Sequence, residues 1–187
     1  FAPFYPSFHN VPVQYLAMYF GYYTGMGYAL QTLTLQRVGK KVLASGSFQR
    51  HLPRSWTARF YMSSSDYQHW FNTYHRRGFR PRQISVTQGN RGEPRFTVIW
   101  KKRAREPYVA FHNLSDGQWR KKWNEWVKKK RYRVEDYAGY TVRGRGRHAA
   151  VFVKDGRRSA EYHGMSGRTF QKKYNENPTF SMMSDEI

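Results

Sequence analysis

Three groups of cations in this sequence are spaced closely enough to act together: Arg76 and Arg77 with Arg80 and Arg82; Lys101, Lys102, Arg103 and Arg105; and Lys128, Lys129, Lys130 and Arg131 joined by Arg143, Arg145 and Arg147. Grouped guanidinium and ammonium side chains bind oxyanions, and arginine does so through two parallel hydrogen bonds. Over the whole chain 33 Lys and Arg stand against 12 Asp and Glu, a formal charge of +21, and no acidic residue precedes Asp66. A field of this sign draws in polyanions, whether nucleic acid, sulfated glycan, an anionic membrane or an acidic protein. Phosphate or sulfate contacts would dominate affinity, so binding should weaken steeply as salt rises.

Other reactive types point to structure. His9, His112 and His163 recur and raise the question of a shared metal, but an imidazole packing at the same corner of each unit explains the recurrence more simply. Glu135 and Asp136 are neighbours, which on a strand point to opposite faces. They are expected to be solvated or salt-bridged, not to face one substrate as a catalytic pair. Ser63, Ser64 and Ser65 stand where a helix cap is needed and lack the Gly-x-Ser-x-Gly of a nucleophile elbow. The chain has no cysteine, hence neither disulfides nor thiolate chemistry. No catalytic residue, metal or cofactor is expected. Tyr61, Tyr108 and Tyr140 are candidates for stacking on sugars or bases, and Asn113-Leu114-Ser115 is a glycosylation sequon should the chain be secreted.

The elements that carry these groups follow from hydrophobic spacing. Tyr67, Trp70, Phe71 and Tyr74 recur at i, i+3, i+4, i+7, as do Trp119, Lys122, Trp123 and Trp126; each set is one face of a helix. Leu16, Tyr19, Phe20 and Tyr23 give a third such face, ending in a glycine-rich stop. Each helix is preceded by an extended aromatic lead-in and followed by two strands: 28–38 and 41–50 about Gly39-Lys40, 79–88 and 95–101 about GNRGEP, and 132–142 and 148–154 about the RGRGR turn at 143–147.

Lining up Phe8, Phe60, Phe111 and Tyr162 gives offsets of 52, 51 and 51 residues. The expected fold is therefore α+β, a single domain of tandem repeats over 1–187, each a helix packed on an antiparallel β-hairpin. The units are approximately 4–52, 57–105 and 108–155, with a partial unit at 159–180. Neighbouring units should bury each other's apolar faces, in an open array or in a closed, propeller-like ring.

Residues 63–102, SSSDYQHWFNTYHRRGFRPRQISVTQGNRGEPRFTVIWKK, resemble the bacterial tandem repeat family found beside β-lactamase-like serine hydrolase domains. The likeness lies in Tyr-Gln near the helix start, a Gly-aromatic-Arg-Pro exit and a strand ending in Trp. In 111–154, Lys130-Arg131 replaces the glycine and Val134 the proline; in 11–50, Ala29 replaces Arg80. The resemblance implies an accessory, non-catalytic module acting outside the cell. The hydrolase motifs Ser-x-x-Lys, Lys-Thr-Gly and Tyr-x-Asn are missing from this chain.

No apolar run reaches the length of a membrane span, and a start at Phe1 suggests a processed, secreted form. The expected function is that of a basic, extracellular binding protein for a sulfated or acidic glycan or an acidic matrix protein, with nucleic acid less favoured. The alternative is a module that docks a separate serine-hydrolase-like subunit or self-assembles into a homo-oligomer.

Overall fold

A computed structural model describes residues 5–50, 55–103 and 105–157. The partial unit at 159–180, with His163, lies outside them. The chain forms two compact units, Phe1–Lys102 and Arg103–Ile187. The first holds two repeats: β1 (Ser7–Pro12), a 3-10 turn (Val13–Tyr15), α1 (Leu16–Gly25), β2 (Tyr28–Val38) and β3 (Lys41–Arg50); then β4 (Trp56–Met62), α2 (Ser64–Arg76), β5 (Phe79–Gln88) and β6 (Pro94–Lys102). The second holds β7 (Tyr108–Leu114), α3 (Asp116–Trp123) running into a π-helical turn (Asn124–Lys129), β8 (Arg133–Val142) and β9 (Arg145–Val153).

The fold is α+β as expected, but each helix packs on three strands, not on a hairpin. The sheets run β1-β3-β2, β4-β6-β5 and β7-β9-β8, antiparallel throughout. The lead-in pairs with the otherwise open edge of the last strand and so covers it. Among the described residues the three sheets are separate and none closes on itself.

A shared irregularity hides the lead-in strands from simple alternation. Each has a register shift, between Phe8 and Val11, Arg59 and Met62, and Phe111 and Leu114. Within it sits a left-handed non-glycine residue: Asn10 (φ 52), Tyr61 (φ 58) and Asn113 (φ 57). The freed N–H finds a side-chain acceptor each time. Asn10 donates to Ser45 Oγ at 3.0 Å and Tyr61 to Thr97 Oγ1 at 3.3 Å, whereas Asn113 donates to the Tyr140 hydroxyl at 2.9 Å. In the strand register Ser45 and Thr97 correspond to Ala149, which has no hydroxyl, so a tyrosine from the neighbouring strand supplies the oxygen. The same register makes Arg59, not Phe60, the equivalent of Phe8 and Phe111, correcting the alignment by one residue.

The helical faces are the cores. Tyr67, Tyr74, Trp119, Trp123 and Leu16 are buried, and Tyr19, Phe20 and Tyr23 pack around Leu16. Ser63 Oγ accepts from Asp66 N at 3.1 Å, and Ser115 with Gln118 forms a reciprocal capping box, so these serines are caps. Helices α1 and α2 end on left-handed glycines, Gly27 and Gly78. The third helix carries one extra residue before its exit. It absorbs the insertion as the π-helical turn, with Lys130 N donating to Glu125 O at 3.0 Å. The left-handed exit residue is then Arg131, at φ 61.

Within the first unit the two repeats are joined through strand edges. Side chains of β5 meet the backbone of β2: Leu33 N donates to Gln83 Oε1 at 2.8 Å, Thr87 Oγ1 to Leu35 O at 2.8 Å, and Ser85 Oγ to Leu33 O at 3.4 Å. Ile99, Trp56 and Ala58 of the second sheet pack into the core of the first repeat. The corresponding positions of the first sheet are Ser47, Tyr5 and Ser7, polar or amphipathic types suited to an outer, wet face.

Basic ends of the repeats as a candidate binding surface

Each repeat has two ends. The helix exit lies beside the start of its second strand and the end of its third. The hairpin tip lies beside the helix start, as the contact of Asp116 with His148 and its proximity to Gly146 show in the third repeat.

At the helix-exit end a cation recurs on an aromatic ring. Arg50 lies 4.8 Å from the Tyr28 ring centroid, Lys102 5.1 Å from Phe79, and Lys154 5.8 Å from Tyr132. These are equivalent positions in the three repeats, each contact contributing about 0.5–1 kcal/mol at an exposed site. Lys102 Nζ also donates to the Arg77 carbonyl at 2.5 Å, placing a cation on the negative end of α2. Arg76 and Arg77 are exposed beside it.

Two members of the first cation group do not face a ligand. Arg80 is only 1% exposed, and its Nη1 donates to Pro81 O at 3.3 Å. Arg82 turns toward the first repeat and donates to the Leu30 and Gln31 carbonyls. Both are structural: the Arg of the Gly-Phe-Arg-Pro exit lies in the protein interior, and Arg82 satisfies the edge of β2. Lys101 and Arg103 are half-buried, Arg103 lying 6.0 Å from the Tyr108 ring centroid. Arg105 is exposed.

In the third repeat, Lys128, Lys129, Lys130 and Arg131 are all exposed at the helix exit. Glu125 bonds Lys130 Nζ at 3.1 Å, which holds the Glu125 carboxyl below its ordinary pKa, and Lys130 sits 3.8 Å from the Trp126 ring centroid. Arg143 and Arg145 are exposed and Arg147 half-buried. The turn is only Arg143-Gly144, both left-handed, so Arg145 and Arg147 belong to β9. The expected joining of 128–131 with Arg143, Arg145 and Arg147 does not occur. The ten-residue β8 lies between them, and at about 3.3 Å per residue it separates the two sets by roughly 30 Å. They are two separate basic clusters at opposite ends of one repeat.

Near the second set is a network that sequence spacing did not reveal. His148 is buried, its Nε2 2.6 Å from Asp116 Oδ1 and its Nδ1 2.6 Å from the Tyr137 hydroxyl. The carboxylate accepts from Nε2–H, which leaves Nδ1 to accept from the tyrosine. Burial pushes the histidine pKa down; Asp116 opposes this and Arg147 adds to it. The order carboxylate, imidazole, hydroxyl is that of a nucleophilic triad, but Tyr137 is 1% exposed and packs in the core at a tilt against Trp119. The network braces the start of α3 against β9. Gly146 leaves room for it: a Cβ there would lie 3.0 Å from Asp116 Oδ1.

The remaining candidates resolve similarly. Glu135 and Asp136 are buried, and Glu135 Oε2 pairs with Arg133 Nη2 at 2.5 Å. Arg133 also forms a two-bond pair with Asp155, at 3.0 and 2.8 Å, which lowers the Asp155 pKa to about 2. Burial opposes the Arg133 cation, yet the two carboxylates together raise its pKa above the ordinary arginine value. Tyr140 caps the Asn113 bulge, and burial raises its hydroxyl to about 12. Among the described residues no group of His, Asp and Glu is arranged to hold a metal, and no helix is long and apolar enough to cross a membrane.

No curated protein matches the chain. The family described as polyglycine hydrolase-like, structural repeat, matches residues 53–103, 105–155 and 156–178. Two of these matches coincide with the second and third repeats, and the last falls on the partial unit; β1 to β3 show the same order of elements outside the matched residues. With most of its length in register with that repeat, the chain belongs to the polyglycine hydrolase-like structural repeat family.

Proposed function

We propose that this chain is a secreted, non-catalytic module that binds a polyanion, with a sulfated or acidic glycan or an acidic protein preferred over nucleic acid. The observation that carries this reading is Arg131. The first two repeats fill the left-handed helix exit with Gly27 and Gly78, the residue that adopts it without strain. A non-glycine residue there costs about 1 kcal/mol. Lys128, Lys129 and Lys130 alone would be explained by the negative end of the helix; an exposed arginine held at a strained position is not. A local rule broken without a structural return is a mark of function.

The test is retention on immobilised heparin and on double-stranded DNA across a salt gradient, for the wild type and for K128Q/K129Q/R131G. The substitutions are on the surface and one restores a glycine, so thermal stability should hold or rise. The wild type should stay on heparin well above 0.15 M salt, where screening acts within about 8 Å, and the variant should elute markedly earlier. Elution of the wild type from both resins at or below that salt would overturn the reading. Equal retention of wild type and variant would remove the site at 128–131.

A further inference from the structure

The least expected surface of this cationic protein carries no charge. Residues 5–36 contain no Lys, Arg, Asp or Glu. Within them α1 is apolar on both sides. Its inner face packs through Leu16, Phe20 and Tyr23. Its outer side exposes a stripe at helical spacing: Tyr15 (48%), Met18 (64%), Tyr22 (62%) and Met26 (43%). A helix apolar all round is normally covered. The repeat itself does not require this stripe. The same positions hold Asp66, His69, Thr73 and Arg77 in the second repeat, and Gln118, Lys121, Glu125 and Lys130 in the third.

Charge around the stripe indicates what covers it. Lys40 and Lys41 lie at the hairpin tip toward which the 3-10 turn leads, and Arg50 lies at the helix exit on the Tyr28 ring. Cations therefore bracket α1 at both ends, and the first repeat has no carboxylate. A second copy would set these cations against their own kind. A planar anionic surface meets them at both ends at once. The side chains fit such a surface: tyrosine places its ring at the headgroup level with the hydroxyl in water, and flexible methionine adapts to a fluid phase. Ten residues of helix, about 15 Å long, suffice to lie in an interface and are too short to span it.

We propose that the outer face of α1 is a membrane-docking face, on which Tyr15, Met18, Tyr22 and Met26 enter the headgroup region of an anionic bilayer while Lys40, Lys41 and Arg50 contact its phosphates. This goes beyond polyanion binding through residues 128–131 and does not rest on it.

The test is flotation of the intact chain with vesicles of phosphatidylcholine alone or with 30% phosphatidylserine, for the wild type, M18S/Y22S and K128Q/K129Q/R131G. The wild type should float with the anionic vesicles and only weakly with the neutral ones. M18S/Y22S should lower the partition coefficient by about tenfold or more; both side chains are exposed, so its circular dichroism and heparin retention should be unchanged. The variant at 128–131 should retain most of the vesicle binding. The proposal is overturned if the wild type does not float with anionic vesicles at low salt, or if M18S/Y22S floats as well as the wild type. A wild-type dimer in sedimentation that M18S/Y22S dissolves would also overturn it, giving the stripe to a second copy.

Discussion

Leu33 N donates to Gln83 Oε1 at 2.8 Å, a buried bond between residues fifty positions apart, which joins one repeat to the next. It belongs to a set in which alternate side chains of β5 serve the backbone edge of β2. Edge strands present unpaired groups that proteins must cover, and here the next repeat covers one with side chains. Gln83→Ala leaves the Leu33 N–H buried and unsatisfied, which costs about 1–3 kcal/mol. Gln68→Ala, on the exposed face of α2, should stay within about 0.5 kcal/mol of wild type. Urea unfolding compares them, and equal midpoints would show that the repeats do not rely on this edge.

Much of the architecture was legible because side-chain period survives in the sequence. The helical stripes from Leu16, Tyr67 and Trp119 and the roughly 51-residue spacing gave the helices, hairpins and order of repeats. The lead-ins were legible as extended segments but not as third strands of each sheet, since the left-handed Asn10, Tyr61 and Asn113 interrupt their alternation. The cation groups were read from adjacency along the chain, which carries no information on depth or strand length. Hence Arg80 proved buried, Arg82 proved committed to the Leu30 and Gln31 carbonyls, and 128–131 proved separate from Arg143 and Arg145. The outer stripe of α1 was visible as Tyr15, Met18, Tyr22 and Met26, but the inner stripe on the same helix masked it.

The third repeat should lose stability in mild acid. Burial lowers the folded-state pKa of both His112 and His148. For a histidine so lowered, the unfolded chain takes up protons that the folded one refuses. Stability is then fully present above the unfolded value of about 6.5 and falls as pH drops toward the folded value. Asp155, held at about 2 by Arg133, acts lower: its contribution is present above the ordinary carboxylate value and is lost as pH falls through about 2. Thermal melts from pH 8 to 5 should be flat above about pH 7 and decline below about 6.5. His148→Gln should flatten part of that decline, with His112 keeping the remainder. A wild-type melting temperature constant to pH 5 would contradict both assignments.

The three bulges give a rescue experiment. Ser45 and Thr97 capture the freed N–H of Asn10 and Tyr61 from the central strand, and Ala149 at the corresponding place cannot. Tyr140 does so from β8, accepting from Asn113 N at 2.9 Å and donating to Asn113 Oδ1 at 2.7 Å. Tyr140→Phe removes both bonds and should cost about 1–3 kcal/mol. If the reason is the lost acceptor, a hydroxyl placed where the other repeats keep theirs should restore it. Tyr140→Phe with Ala149→Ser should recover about 1 kcal/mol, whereas Ala149→Ser alone, in a site already satisfied, should be neutral or slightly destabilising. The coupling in this double-mutant cycle carries the inference. Additive effects would mean that Tyr140 stabilises the repeat by packing, and that the Asn113 N–H is satisfied without it.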